Sequence, residues 1–156
     1  MGAYDVKWYI PEYWFDLFEL NTPLDDVLSK IDYASGIYED ASLIQEFAKN
    51  FTVIISTNNP RSILKHKLKA FKYSEHISYA FSSVSDFDNI VKNKQFYVQI
   101  CSKLGINPEE MLHVGDDPFY DVSEPRAAGN NALLLDRHGK NNAVNNLYDL
   151  RSILNR

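Results

Sequence analysis

Between Met111 and Asp121 the chain reads MLHVGDDPFYD: an apolar run that stops at a glycine, two adjacent carboxylates, and a third acid four residues further on. A short apolar run bounded by Gly115 is the pattern of a strand covered on both faces in a parallel sheet. In open parallel sheets ligands gather outside the carboxyl ends of the strands. Asp116 and Asp117 are therefore expected at the working edge, with Asp121 just inside the following helix. Carboxylates this close repel one another unless a hard cation neutralises them. Mg²⁺ is such a cation, and it keeps waters and phosphate oxygens as its other ligands. An acidic turn at a helix N-terminus, where negative charge is favoured without any metal, explains the same residues. The residues alone leave both readings open.

The rest of the chain supports the sheet. From Asp40 onward helical and buried-strand patterns alternate, the signature of a parallel α/β fold. Strands are expected at residues 51–56, 77–81, 111–114 and 132–135. Asp40 is expected to cap a helix bearing Leu43, Ile44 and Phe47, and a second helix carries Ile63, Leu64, Leu68 and Phe71. A polar stretch covers residues 82–89. A helix over residues 94–104 ends at Gly105, another runs from Asp121 to Gly129, and a last one spans residues 147–154. The first 35 residues differ, being dense in aromatics: Tyr4, Trp8, Tyr9, Tyr13, Trp14, Phe15 and Phe18. Pro11 suits the start of a short helix, and Thr22 followed by Pro23 suits the cap and first position of a second. Residues 1–35 thus read as an appended helical segment and 36–156 as the α/β core. The aromatics serve either helix packing or a substrate-covering or partner-binding surface.

Composition excludes several classes. A chain of 156 residues with 45% hydrophobic residues can bury one core. Its net charge of −5 and the lack of a Lys/Arg run argue against nucleic acid as a partner. No long apolar span or basic leader is visible, so no membrane contact and a cytoplasmic location are expected. Cys101 falls in an apolar helical pattern with Phe96, Ile100 and Leu104 and reads as a structural thiol. The histidines at 66, 76, 113 and 138 show no metal-ligand spacing.

Ser56 and Thr57 close the first expected strand and Asn58 begins the turn after it. Hydroxyls and free N–H groups at such a turn can cradle a phosphate or carboxylate, although similar turns also cap helices. Lys92, just before the helix over residues 94–104, can supply a fixed positive charge at the same edge, with Lys94 a competitor for that role.

The order Ser56-Thr57-Asn58 after an apolar strand, Lys92 before a helix, then Gly115-Asp116-Asp117 with Asp121, resembles the haloacid dehalogenase-like (HAD) hydrolase superfamily. The similarity runs from about Tyr38 to Arg137 and is densest from Lys92 through LGINPEEMLHVGDDPFYDVSEPRAAGNNALLLDR. The resemblance implies a Rossmannoid three-layer α/β/α parallel sheet, residues 1–35 being the remnant of a helical cap. It implies a Mg²⁺-dependent phosphatase acting on a small phosphorylated metabolite. Thr57 would bond the transferred phosphoryl group, with Ser56 and Asn58 at the same turn. Lys92 would neutralise charge there, and Asp116, Asp117 and Asp121 would hold Mg²⁺ or orient its water. Family members open with a strand ending in Asp-x-Asp, whose first acid attacks phosphorus. This chain has no such motif near its N-terminus, and Asp5, in Ala-Tyr-Asp-Val-Lys, is the local substitute. The missing strand belongs in the middle of the sheet, between the strands at 51–56 and 111–114. Its place is to be taken by residues 4–6, by another chain (a homodimer or a second polypeptide), or by direct pairing of the flanking strands. The alternative function is a phosphate-binding or interaction domain without catalysis, or one part of a split enzyme.

Overall fold

The computed structural model describes residues 5–139 and 143–155. Tyr4, counted above among the aromatics and as the start of a candidate strand, lies outside them.

The N-terminal segment is a 3-10 turn, Val6–Tyr9, followed by helices α1 (Pro11–Leu17) and α2 (Leu24–Leu28). Pro11 opens α1, where its missing N–H costs nothing. Thr22 does not cap α2; Pro23 itself holds the N-cap position, without a side-chain cap. The aromatics pack locally: Trp14 Nε1 donates to the Trp8 carbonyl at 2.8 Å, and Trp14 stacks on Phe18. Trp8, Tyr9, Leu17 and Phe18 nonetheless remain exposed.

The core contains α3 (Ile44–Phe47), β1 (Ile54–Thr57), α4 (Arg61–Ala70), β2 (Tyr79–Ser82) and α5 (Ser83–Phe87). After these come α6 (Lys94–Leu104), β3 (Leu112–Gly115), α7 (Glu124–Ala127), β4 (Asn131–Leu134) and α8 (Leu147–Leu154). Helix α5 lies in the stretch expected to be merely polar. Ser82 nucleates it by accepting from Ser85 N, and Asp88 ends it in the left-handed region. The α6 boundaries follow from chemistry: the Asn93 side chain accepts from Phe96 N, and Gly105, at φ +65°, closes the helix. The N-terminal segment rests on α4, where Asp25 Oδ1 lies 2.9 Å from His66 Nε2 and Ser62 Oγ donates to Glu12.

All strand pairing is parallel, but it forms two separate ribbons, β1 with β2 and β3 with β4. Helices cover both faces. On one side Phe96, Tyr97, Ile100 and Cys101 of α6 pack on Ile54, Phe81 and Met111. On the other, Leu43, Phe47 and Leu150 pack on Val53, Leu112, Val114 and Leu133. Each layer grips both ribbons, so the architecture is the expected three-layer α/β/α arrangement. Between β1 and β3, however, the described residues supply no backbone pairing, and the two strands stand further apart than paired strands do. Of the three ways considered to fill the central position, direct pairing of the flanking strands does not occur. The chain's own start does not supply it from Val6 onward, where the backbone turns as a 3-10 helix.

Asp40 is a second correction. Rather than capping a helix, it lies within a 3-10 turn, Glu39–Leu43, and reaches across the fold. Its carboxylate takes two bonds from Arg137, at 2.9 and 3.1 Å, and one from Leu147 N at 2.8 Å. Arg137 also lies over the Tyr38 ring, 3.8 Å from its centroid. Burial alone would raise the Asp40 carboxyl, but the Arg137 and Leu147 bonds outweigh it and hold the group below the usual carboxylate range. A carboxyl lowered by folding stabilises above its unfolded value and loses that contribution as pH falls. Asp40→Ala is therefore expected to lower unfolding free energy at neutral pH by about 3 kcal/mol, measured by urea titration. The difference from the parent should shrink below about pH 4.

Candidate functional site

The carboxyl ends of β1 and β3 lie at one edge. Ile54 and Met111 share a cluster, and Ser56 Oγ lies 3.5 Å from His113 Nδ1, so the two strands run in the same direction and at matching levels. At the end of β1, Thr57 Oγ1 accepts from Asn59 N at 3.1 Å and from Asn59 Nδ2 at 2.8 Å, which tightens the turn into α4. Asn58 Oδ1 accepts from Ser83 Oγ at 3.0 Å. The two side chains expected to touch phosphate thus brace the loop, leaving Thr57 its hydroxyl hydrogen to donate.

The strongest cluster is centred on Asp121, which is 2% exposed. Lys92 Nζ and His113 Nε2 both reach its Oδ1, the latter at 2.8 Å, and Asp117 N donates to Oδ2 at 3.1 Å. Burial would raise this carboxyl, but the His113 and Lys92 bonds prevail and hold it far below the usual range. Gly115 makes the arrangement possible: a Cβ there would stand 2.3 Å from Asp121 Cγ. Tyr97 completes the group, donating to the Tyr120 carbonyl at 2.7 Å with its hydroxyl 3.2 Å from His113 Nε2. Burial, then the Asp121 charge, pushes its phenol well above the usual range, so Tyr97 stays a neutral donor. An Nε2–H tautomer of His113 fits these contacts, leaving Nδ1 to accept from Ser56.

The expected residues therefore divide. Lys92 points into the edge, while its competitor Lys94 is exposed at the start of α6, its backbone N–H held by Glu124. Asp117 spends Oδ1 as a helix cap, accepting from Phe119 N and Tyr120 N at 2.8 Å each. It opens a π-type turn, Pro118–Ser123, that carries Asp121. Asp116 is exposed and makes no side-chain bond among the described residues. Asp5 caps the N-terminal turn and pairs with Lys7, its Oδ2 2.9 Å from Nζ. Among the described residues no three acidic, His or Cys side chains converge to hold a metal ion. His113 was missed because it fits no metal spacing. Its signal is strand parity, which puts it on the face of Gly115 and hence of Asp121. Beside the edge, a cavity of about 470 Å³ is lined by Tyr38, Asp116, Pro118, Leu134, Arg137 and His138 among others.

A family model for haloacid dehalogenase-like hydrolase matches residues 9–129. The chain belongs to that family. Its fold is that of solved HAD structures. A HAD phosphatase from Thermococcus onnurineus superposes with a TM-score of 0.76 at 24% identity, covering 96% of this chain and 72% of the phosphatase. A dehalogenase with an intermediate complex gives 0.67 at 19% identity, covering 96% of this chain and 81% of the dehalogenase. No curated protein matches. As a HAD-like hydrolase the chain shows no helix among its described residues long and apolar enough to cross a membrane.

The Gly115 contact sets a test. Gly115→Ala is expected to displace Asp121 from Lys92 and His113 and to cost about 2–3 kcal/mol in urea unfolding. Because folding lowers the Asp121 carboxyl, the parent should lose stability as pH falls below about 4. Asp121→Asn, less stable at pH 7, should show a flatter acid limb.

Proposed function

We propose that this chain is the phosphate-handling core of a Mg²⁺-dependent phosphatase for a small phosphorylated metabolite. The observation that carries the reading is the shared edge itself. Thr57 ends β1 at a braced turn, Asp116 follows β3 with its carboxylate unbonded, and Lys92 is tied to the turn after β3 through Asp121. In this reading Thr57, Ser56 and the turn of Asn58 bind phosphoryl oxygens, and Lys92 offsets their charge.

The three acids do not fit the metal as a ready-made set. Asp121 is taken by Lys92 and His113, and Asp117 is largely spent as a cap. Asp116 supplies one carboxylate, and waters and phosphate oxygens would complete the coordination. Neither Asp121 nor Asp5 stands free to serve as the attacking group. Asp121 is buried and held on both oxygens, and Asp5 is engaged in its own turn with Lys7. That last observation favours the second reading, a core that binds phosphate without turning it over.

Titration of the chain with inorganic phosphate, followed by ³¹P NMR with and without Mg²⁺, tests the shared part. Binding should weaken at least about tenfold in Lys92→Ala, the loss of a charge-assisted bond worth about 1.5–3 kcal/mol, and Asp116→Asn should remove its Mg²⁺ dependence. Unchanged phosphate affinity in both variants would sink the site. Hydrolysis of p-nitrophenyl phosphate separates the two readings. The phosphatase predicts turnover lost in Asp116→Asn and kept in Asp5→Asn, whereas the binding domain predicts none above buffer.

A further inference from the structure

Tyr38 is an aromatic ring held beside the working edge without being buried. It stands 59% exposed just before the 3-10 turn at Glu39–Leu43, and the Arg137 guanidinium lies 3.8 Å from its centroid. Arg137 is itself fixed, because both terminal nitrogens donate to the oxygens of the buried Asp40, at 2.9 and 3.1 Å. A guanidinium stacked on a ring is attracted to the π face and holds it in place. One face of Tyr38 is therefore spent inside the fold, and its exposure belongs to the other. The ring forms part of the wall of the cavity of about 470 Å³ at the carboxyl ends of β3 and β4, together with Pro118, Leu134 and Leu135. Asp116 lines the same cavity, which makes it continuous with the candidate phosphate edge. A pocket of a few hundred cubic ångströms, mostly apolar with a few placed polar groups, is the usual form of a small-molecule site.

We propose that this cavity is the subsite for the organic part of the phosphomonoester, and that the group it takes is an uncharged sugar ring stacked on Tyr38. The assignment rests on the proposed phosphate site and adds what the ester carries. Charge decides first. Arg137 is the one cation among the described lining residues, and its terminal nitrogens are committed to Asp40. A second anionic group, such as the carboxylate of a phosphorylated hydroxy acid, would meet Asp116 and find no uncommitted cation in the described lining to offset its desolvation. Shape decides next. A sugar presents an apolar C–H face, which suits the phenol ring, Leu134 and Leu135. Its rim of hydroxyls suits the Asp116 carboxylate and the exposed His138 imidazole. An open-chain polyol offers the same hydroxyls but loses more torsional freedom on binding and has no flat face to lay on the ring. The pairing of Asp40 with Arg137 thereby acquires a second consequence, since it holds Tyr38 where the organic part of the ester would lie.

The test titrates the full chain, with Mg²⁺ present, against glucose 6-phosphate, ribose 5-phosphate, 2-phosphoglycolate, adenosine 5′-monophosphate and inorganic phosphate. Affinity is read by ³¹P NMR, where any hydrolysis appears as inorganic phosphate in the same spectra. At least one sugar phosphate should bind about tenfold more tightly than inorganic phosphate, and 2-phosphoglycolate should gain nothing over it. Tyr38→Leu should cut the advantage of the sugar over inorganic phosphate about fivefold, whereas Tyr38→Phe, which keeps the ring, should retain it. Nuclear Overhauser contacts between the Tyr38 ring protons and the sugar C–H protons should appear in the complex, a signature that a merely structural tyrosine would not give. The proposal is overturned if no sugar phosphate gains over inorganic phosphate, or if 2-phosphoglycolate binds as well as the sugars. It is also overturned if Tyr38→Phe loses the advantage as Tyr38→Leu does, or if the ring contacts are absent. Tighter binding of adenosine 5′-monophosphate than of either sugar phosphate would overturn the sugar as occupant. In all these cases inorganic phosphate still binds, and the phosphate site stands. Failure of every ligand to bind, inorganic phosphate included, would remove the phosphate site and this subsite with it.

Discussion

The Asp121 carboxylate is the tie on which the working edge depends. It is one buried negative group, and three parts of the chain converge on it: Lys92 from the approach to α6, His113 from β3, and the Asp117 amide from the turn after β3. A buried carboxylate is tolerable only when its lone pairs are used, and here they are. The consequence is positional. Lys92 cannot swing toward solvent while Asp121 holds it, and Asp121 can sit where it does only because Gly115 carries no Cβ. The glycine, the lysine and the third acid of the motif form one mechanical unit rather than three separate contributions.

That unit also reassigns the acids. Read as a string, Asp116-Asp117 and Asp121 look like equal donors to a cation. In three dimensions they divide the labour: Asp121 fixes the lysine, Asp117 starts the helix, and Asp116 alone faces outward with its oxygens unbonded. Adjacent residues in a turn point in different directions, and a carboxylate is as suited to capping N–H groups as to holding a metal.

Much of the fold was legible because it rests on local signals. The extent of α6 followed from the turn at Gly105 and that of α8 from its periodicity, and the four strands were found within a few residues by their apolar runs. Where reasoning failed, the deciding interaction was remote in sequence. Asp40 looked like a cap because caps are local, yet its partners are Arg137 and Leu147. Helix α5 was hidden because its residues are polar, and it forms on a Ser82 cap and on Asp86, whose carboxylate takes the Ser82 N–H and the Arg61 guanidinium. In the site, Lys92 and Asp121 could be named from their spacing. Their bond to each other and the part of His113 needed the register of β3 against its neighbours. The absent Asp-x-Asp opening pointed to a break at the central position, but it did not say whether the flanking strands pair across it.

The Asp40 bridge also bears on how the chain assembles. A carboxylate near the first quarter of the sequence waits for a guanidinium and an amide roughly a hundred residues later. During synthesis the emerging polypeptide must carry that acid hydrated until α8 has left the ribosome, at about 5–20 residues per second. The layer of Leu43 and Phe47 cannot be sealed before then, because Leu150 belongs to it. Closure of this face therefore joins elements roughly a hundred residues apart, a long-range contact of the kind that slows folding.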